Sequence, residues 1–234
     1  MVDIGNSKIK TAIFEGERMV SRFVANHLEE VFQHYGSTSY RWIFSSVGDD
    51  PTAYSQIRSV ADHLILTKDT PLPIVLDYQS PETLGVDRIA ASVGAFHLYK
   101  KGCLVIDAGT CITYDLVDSK GVYRGGAIAP GLRMRMKAMS HFTKRLPDVS
   151  SEWEEIALKT QGKTTRECLV TGAFGGVVHE MEGFIEAFLK EYEDLAVILT
   201  GGDANYFESK LKAPIFANFD LVLTGLNTIL NYNK

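Results

Sequence analysis

The sequence predicts an α/β chain built as two similar half-domains. Two observations carry this. One short phrase occurs twice, as Asp3-Ile4-Gly5-Asn6-Ser7 at the start and as Asp107-Ala108-Gly109-Thr110-Cys111 near the middle. Each copy follows an apolar stub, Met1-Val2 or Leu104-Val105-Ile106. Each runs into β-prone residues, Ile9 to Phe14 or Ile112 to Val117, and then into a turn, Glu15-Gly16-Glu17 or Asp118-Ser119-Lys120-Gly121. The shared plan is strand, Asp-x-Gly turn, strand, turn, strand. The second observation is that strand and helix patterns alternate between the copies, as in an α/β chain.

The elements follow in order. Ile9 to Phe14 and Met19 to Val24 form a hairpin, and Asn26 to Tyr35 is helical. Tyr40 to Val47 is a strand, Thr52 to Asp62 a helix, and Leu64 to Thr67 and Ile74 to Leu76 short strands. Tyr78 to Gly85 is a loop before an Ala- and Gly-rich helix, Val86 to Tyr99. Lys100-Lys101-Gly102 breaks the pattern, which divides the chain into residues 1–102 and 103–234. The second half repeats the hairpin. A glycine-dense loop, Arg124 to Gly131, then precedes a helix from Leu132 to about His141, and Leu146-Pro147-Asp148 is a connector. A long helix spans Thr165 to Glu191, opened by a capping box of Thr164 and Glu167. Its buried face is Leu169, Ala173, Phe174, Val177, Met181, Phe184, Ile185 and Phe188. Gly172, Gly175 and Gly176 are costly inside a helix, which points to close packing with another helix or subunit. Leu195 to Leu199 is a buried strand ending in Thr200-Gly201-Gly202-Asp203.

Composition sets bounds. The 234 residues are 45% hydrophobic and 23% charged, an ordinary globular balance. A net charge of −5 without a basic run argues against a nucleic-acid surface. Three cysteines, with no C-x-x-C, argue against a disulfide framework or a zinc site and fit a reducing compartment. The six histidines show no metal-like spacing. With no signal-like N-terminus and no apolar run of membrane length, a cytoplasmic protein is expected.

The repeated phrase suits phosphate. Gly after Asp lets the backbone turn tightly, successive N–H groups form an anion-binding nest, and the Asp can hold a cation that partners phosphates. Asn6, Ser7 and Thr110 add short donors. A repeated phosphate hairpin facing one nucleotide is therefore the leading idea. Familiar nucleotide loops are absent: Gly162-Lys163-Thr164 resembles the end of a Walker loop, but position 157 is Ala157, and there is no G-x-G-x-x-G. Gly85-Val86-Asp87-Arg88 joins a carboxylate to an arginine at a loop-to-helix junction. Taken alone it reads as a surface ion pair or a helix N-terminal charge; in a site, Arg88 would hold a carboxylate or phosphate and Asp87 would accept a hydroxyl proton. Gly125 to Gly131 and Thr200 to Asp203 are equally compatible with structural turns and with anion or ribose contacts.

Taken together, these phrases resemble the type III pantothenate kinase family, within the acetate-and-sugar-kinase and actin-like ATPase superfamily. Four motifs stand in the family's order: Asp3 to Ser7, Gly85 to Arg88, Asp107 to Asp115 and Gly125 to Gly131. The resemblance implies duplicated ribonuclease H-like halves, each a mixed sheet flanked by helices with a cleft between them, and ATP-dependent phosphorylation of pantothenate at its terminal hydroxyl, the entry to coenzyme A synthesis. It implies that Asp3, Ile4, Gly5, Asn6, Ser7, Lys8, Ile9 and Lys10 wrap the ATP phosphates, with Thr110 as a further contact. Tyr78, Gly85, Val86, Asp87 and Arg88 would bind the substrate, Asp87 acting as general base and Arg88 holding the carboxylate. Thr165 would reach the neighbouring subunit's pocket in a homodimer. Asp107 would help bind a monovalent cation, K+ or NH4+, and Asp3 is the candidate position for Mg2+. No nucleic acid or membrane partner is implied.

In sugar kinases of the superfamily the second-half Asp often serves as base, a place held here by Asp107. Asp87 is preferred because its Arg neighbour anchors the same small substrate. The chain departs from the family pattern in having only Met1 and Val2 before Asp3, Ser7 for the commoner Thr, and Thr164 where Asn is usual. The alternatives are a related kinase of a sugar or alcohol, and a non-catalytic nucleotide-binding regulator. Arg88 separates the first, since a neutral sugar does not need it, and the intact Asp3, Asp87, Arg88 and Asp107 weigh against the second.

Overall fold

Asp3 lies inside a short strand, β1 (Val2–Ile4), at the centre of a five-stranded sheet ordered β3-β2-β1-β4-β5. The computed structural model describes residues 1–36, 40–48 and 54–234. β1 runs antiparallel to β2 (Ile9–Glu15), setting Asp3 opposite Lys10 and Ile4 opposite Ile9. It runs parallel to β4 (Trp42–Ser46), setting Asp3 beside Ser45. β3 (Arg18–Ala25) completes the expected hairpin and β5 (His63–Ile65) flanks β4. Val2, Ile4, Ile9, Trp42 and Phe44 pack with Leu28 and Val31 of α1 (Leu28–Tyr35) and Ile57 of α2 (Ser55–Arg58). Strand alternation turns Asp3 and Ser45 to the opposite face. The start of the helix expected from Thr52 lies outside the described residues; its described part is the single turn of α2.

The chain divides into two compact units. The first comprises Met1–Cys103, Asp115–Gly125 and Asp220–Lys234. Besides the first sheet it holds β6 (Val75–Leu76), α3 (Val86–Tyr99) and the C-terminal helix α7 (Leu221–Tyr232). α7 is absent from the elements read along the sequence. It crosses α3 almost backbone to backbone: a Cβ on Gly225 would overlap the Ala90 carbonyl, and one on Gly94 would come within 2.5 Å of the Leu221 oxygen. Asn227 ties α7 to the β2–β3 turn by donating to the Gly16 carbonyl at 2.9 Å.

The second unit comprises Leu104–Tyr114 and Gly126–Phe219. β7 (Cys103–Ala108), β8 (Cys111–Val117), β9 (Val122–Pro130), β10 (Ala196–Thr200) and β11 (Phe216–Ala217) belong to a sheet ordered β11-β10-β7-β8-β9-β6, and β8 and β9 each contribute residues to both units. The stretch read as a glycine-dense loop from Arg124 is mostly strand: β9 continues to Pro130, because strand pairing overrides the poor strand propensity of Gly125 and Gly126. α4 (Leu132–His141), α5 (Thr165–Glu191) and the single turn α6 (Ala204–Phe207) complete this unit. α5 begins where the sequence places it. Thr164 accepts from the Glu167 N–H at 3.2 Å, and Glu167 accepts from the Thr164 N–H at 3.1 Å. Of the expected apolar face, Leu169, Ala173, Phe174, Val177, Met181 and Ile185 are buried, and half-buried Phe184 stacks on Tyr114 at 4.1 Å.

Candidate active site

In the first unit, the β1–β2 turn forms a tight loop closed by the Gly5 N–H donating to the Lys8 carbonyl at 3.1 Å. Asn6, Ser7 and Lys8 are exposed on it, and Lys8 reaches Asn26 at 2.5 Å. Ile4 and Ile9 are buried below the loop, so they offer a ligand backbone atoms only. Asp3, 8% exposed, accepts from Ser45 Oγ at 3.0 Å. Burial pushes its carboxyl from 3.8 up to about 6; Ser45 opposes this, the negative charge of Asp87 adds to it, and Lys10 opposes it again.

Asp87 stands in the first turn of α3, whose N-cap is Gly85 and whose first residue is Val86. Its Oδ1 folds back to accept from the Arg88 N–H at 2.8 Å, through space a Cβ on Gly85 would fill. Burial raises the Asp87 carboxyl above its ordinary value, the Arg88 N–H works against that, and the charge of Asp115 adds to it. A partly desolvated carboxylate with a raised pKa is suited to accepting a proton.

Arg88 is 7% exposed and held from one side. Its Nε and Nη2 both donate to Asp115 Oδ1, at 2.9 and 2.7 Å. Tyr123 donates to the same oxygen at 2.7 Å. Burial alone would weaken the arginine's charge, but the Asp115 bonds outweigh it and hold the guanidinium protonated. Tyr78 lies edge-on to Tyr123, ring centres 5.9 Å apart, and rests against the backbone of Gly125. Asp3, Asp87, Arg88 and Tyr78, which the sequence singles out, are thus joined by Ser45, Asp115 and Tyr123, which it does not. Asp115 closes a quoted motif without a role, and nothing in the sequence marks Tyr123.

Asp107, Thr110 and Thr165 belong to the second unit. Asp107 is half-buried near the end of β7 and Thr110 is exposed on the following turn, closed by the Gly109 N–H donating to the Cys111 carbonyl at 3.0 Å. Two other motifs converge on this turn. The Gly131 N–H donates to the Thr110 carbonyl at 3.1 Å, and the Asp203 N–H to the Ala108 carbonyl at 2.9 Å. A Cβ on Gly131 would overlap the Gly109 and Thr110 carbonyls, and one on Gly201 (φ 100°) the Ala108 carbonyl. Only glycine permits that approach, which explains both glycine motifs as the frame of the second phosphate-type turn. Thr165 is exposed in the first turn of α5.

The donor set fits a hard cation. Burial and the charge of Asp87 make ionised Asp3 costly, and burial and the charge of Asp115 do the same to Asp87, so a cation beside these carboxylates would relieve them. Among the described residues no cluster of three or more His, Cys, Asp or Glu is arranged as a metal site. One or two carboxylates completed by phosphate oxygens are the usual protein share of a magnesium site.

Residues 1–187 match the family model for type III pantothenate kinase. A curated type III pantothenate kinase from Cytophaga hutchinsonii is 42% identical, the match covering 100% of this chain and 98% of that one. A solved Baf family protein from Campylobacter jejuni matches with a TM-score of 0.66 at 21% identity, covering 99% of this chain and 97% of that one. The activator of the 2-hydroxyisocaproyl-CoA dehydratase from Clostridium difficile, solved with bound ADPNP, matches at 0.56 and 14%, covering 98% and 92%. The solved structures establish the fold, the actin-like ATPase type expected from the repeated hairpin.

Proposed function

This chain belongs to the type III pantothenate kinase family, and from that premise we propose how its own residues divide the work of phosphorylating pantothenate. The reaction transfers a phosphoryl group from ATP to the terminal hydroxyl of pantothenate and opens coenzyme A synthesis. Phosphoryl transfer needs in-line positioning and charge neutralisation more than covalent chemistry. The Asp3–Lys10 hairpin cradles ATP phosphates through its turn N–H groups and short side chains, and Thr110 contributes from the second turn. Asp87 takes the proton of the attacking hydroxyl. Arg88 binds the carboxylate of the same substrate, and Tyr78 lines its pocket with Gly85 and Val86.

Asp3 would hold Mg2+ and Asp107 a monovalent cation, K+ or NH4+; bound there, such ions would supply neutralisation of phosphate charge. The assignment of Asp3 is supported by its buried carboxyl, destabilised in ionised form by Asp87. A cytoplasmic location and a homodimer belong to the same proposal. In the dimer, Thr165 serves the neighbouring subunit's pocket. Its exposure supports this, as does open space around Gly172, Gly175, Gly176 and Gly183 on α5, where an added Cβ would meet no atom within 4 Å among the described residues.

The observation that carries the proposal is the junction of Asp87 and Arg88: a base candidate one residue from a guanidinium clamped in place. It is tested by ATP consumption with Mg2+ and K+, with and without pantothenate, in wild type and Asp87→Asn. Pantothenate-dependent turnover reduced by about 10²–10⁴-fold in the variant is expected. Turnover that survives the substitution moves the base to Asp107, and wild type without pantothenate-dependent turnover refutes the proposal.

A further inference from the structure

Arg88 has five N–H donors, and two of its nitrogens, Nε and Nη2, are committed to one oxygen of Asp115. The arrangement is a poor ion pair by the standard of stability. A carboxylate placed for stability would meet the guanidinium fork with both oxygens. Here all three donors, two from Arg88 and one from Tyr123, converge on Asp115 Oδ1. Asp115 is 1% exposed, and its Oδ2 is buried with no hydrogen-bond partner. An unsatisfied buried carboxylate oxygen opposes folding, so this geometry needs another reason.

It fixes the side edge of the guanidinium and leaves the end edge, one hydrogen each of Nη1 and Nη2, for a ligand. We propose that Asp115 and Tyr123 are positioning residues that lock Arg88 so that its end edge selects a substrate carrying a carboxylate. This rests on the assignment of Arg88 above and extends it to two residues with no role so far. Tyr123 adds a second tie: its ring meets Tyr78 edge-on, linking the clamp to the proposed pocket wall. Without the clamp, a long arginine side chain samples many rotamers and loses binding energy on ordering.

The test uses two substrates: pantothenate, and pantothenol, in which CH2OH replaces the carboxylate. Steady-state kcat and KM are measured for both with wild type, Asp115→Asn and Tyr123→Phe, beside thermal unfolding of each. A clamp acting through the carboxylate predicts a KM for pantothenate raised about 10–100-fold in Asp115→Asn, the size of a charge-assisted hydrogen bond. Tyr123→Phe, which keeps the ion pair, raises it a fewfold. In both variants kcat stays within about threefold, KM for pantothenol stays near wild type, and the preference for pantothenate collapses by the same factor. Should Asp115→Asn fail to fold, Tyr123→Phe carries the test alone. Equal losses on both substrates assign the pair a merely structural role and overturn the inference, as does an unchanged preference in Tyr123→Phe. Wild type that phosphorylates both compounds equally well overturns the inference while the kinase assignment stands. Wild type that phosphorylates neither sinks the kinase assignment and the inference with it.

Discussion

Replacing Asp3 with asparagine exchanges function for stability in a way the structure quantifies. The folded protein holds the Asp3 carboxyl at about 6 against an ordinary 3.8, chiefly by burial. The protonated form is therefore the one folding favours. Its contribution to stability is fully present below about 3.8 and is lost as pH rises through about 6. The difference corresponds to about 3 kcal/mol at pH 8, and about half of that at pH 5. Asparagine removes the charge and keeps an oxygen to accept from Ser45. In ligand-free protein without divalent ions, Asp3→Asn is expected to be more stable than wild type by up to about 3 kcal/mol at pH 8. For a chain of this size that is roughly 6–12 °C in Tm. The advantage halves at pH 5. Calorimetry at the two pH values measures it, and Mg2+–ATP should stabilise wild type but not the variant. A variant no more stable than wild type at either pH refutes the claim that Asp3 carries an uncompensated charge, and full kinase activity in the variant refutes its place in the ATP site.

Three further outcomes follow from the same geometry. Because burial and Asp115 raise the Asp87 carboxyl, kcat/KM should fall on the acid side with a midpoint above the ordinary carboxylate range; a midpoint near 3.8 removes Asp87 as the titrating base. Gly225→Ala drives a methyl group into the Ala90 carbonyl and should cost about 1–3 kcal/mol, read as a lower urea midpoint at unchanged m; an unchanged midpoint means that α3 and α7 separate without strain. Thr164→Ala removes the cap of α5 and should cost about 1 kcal/mol by urea unfolding, while Thr164→Ser, at least as good a cap, should leave stability unchanged or slightly higher.

Much of this protein was legible along the chain because the signals are local. A Gly after an Asp at a strand, a Thr three residues before a Glu, and an apolar stripe at helical spacing each act within one or two turns, and the β1–β2 hairpin and α5 stand where those signals put them. The glycine run from Gly125 misled for the same reason: local propensity reads it as loop, whereas cross-strand pairing makes it β9. The candidate catalytic pair Asp87-Arg88 was visible because its members are adjacent.

What completes that pair was not visible. Asp115 lies 27 residues from Arg88 and Tyr123 a further 8 along, and only folding sets Asp115 against the guanidinium and the Tyr123 hydroxyl against Asp115. The glycines at 131 and 201 read equally well as turns; the structure shows them framing the Gly109 turn, since no other residue leaves room for the carbonyls beside them. The return of α7 to the first unit had no signal at all, because a helix's partner is chosen by shape at the crossing, here two glycines that let backbones touch. Short-range chemistry is written in sequence neighbours. The charge balance that decides which carboxylates ionise, and which arginine is held still, belongs to groups far apart in the chain and exists only once they are buried together.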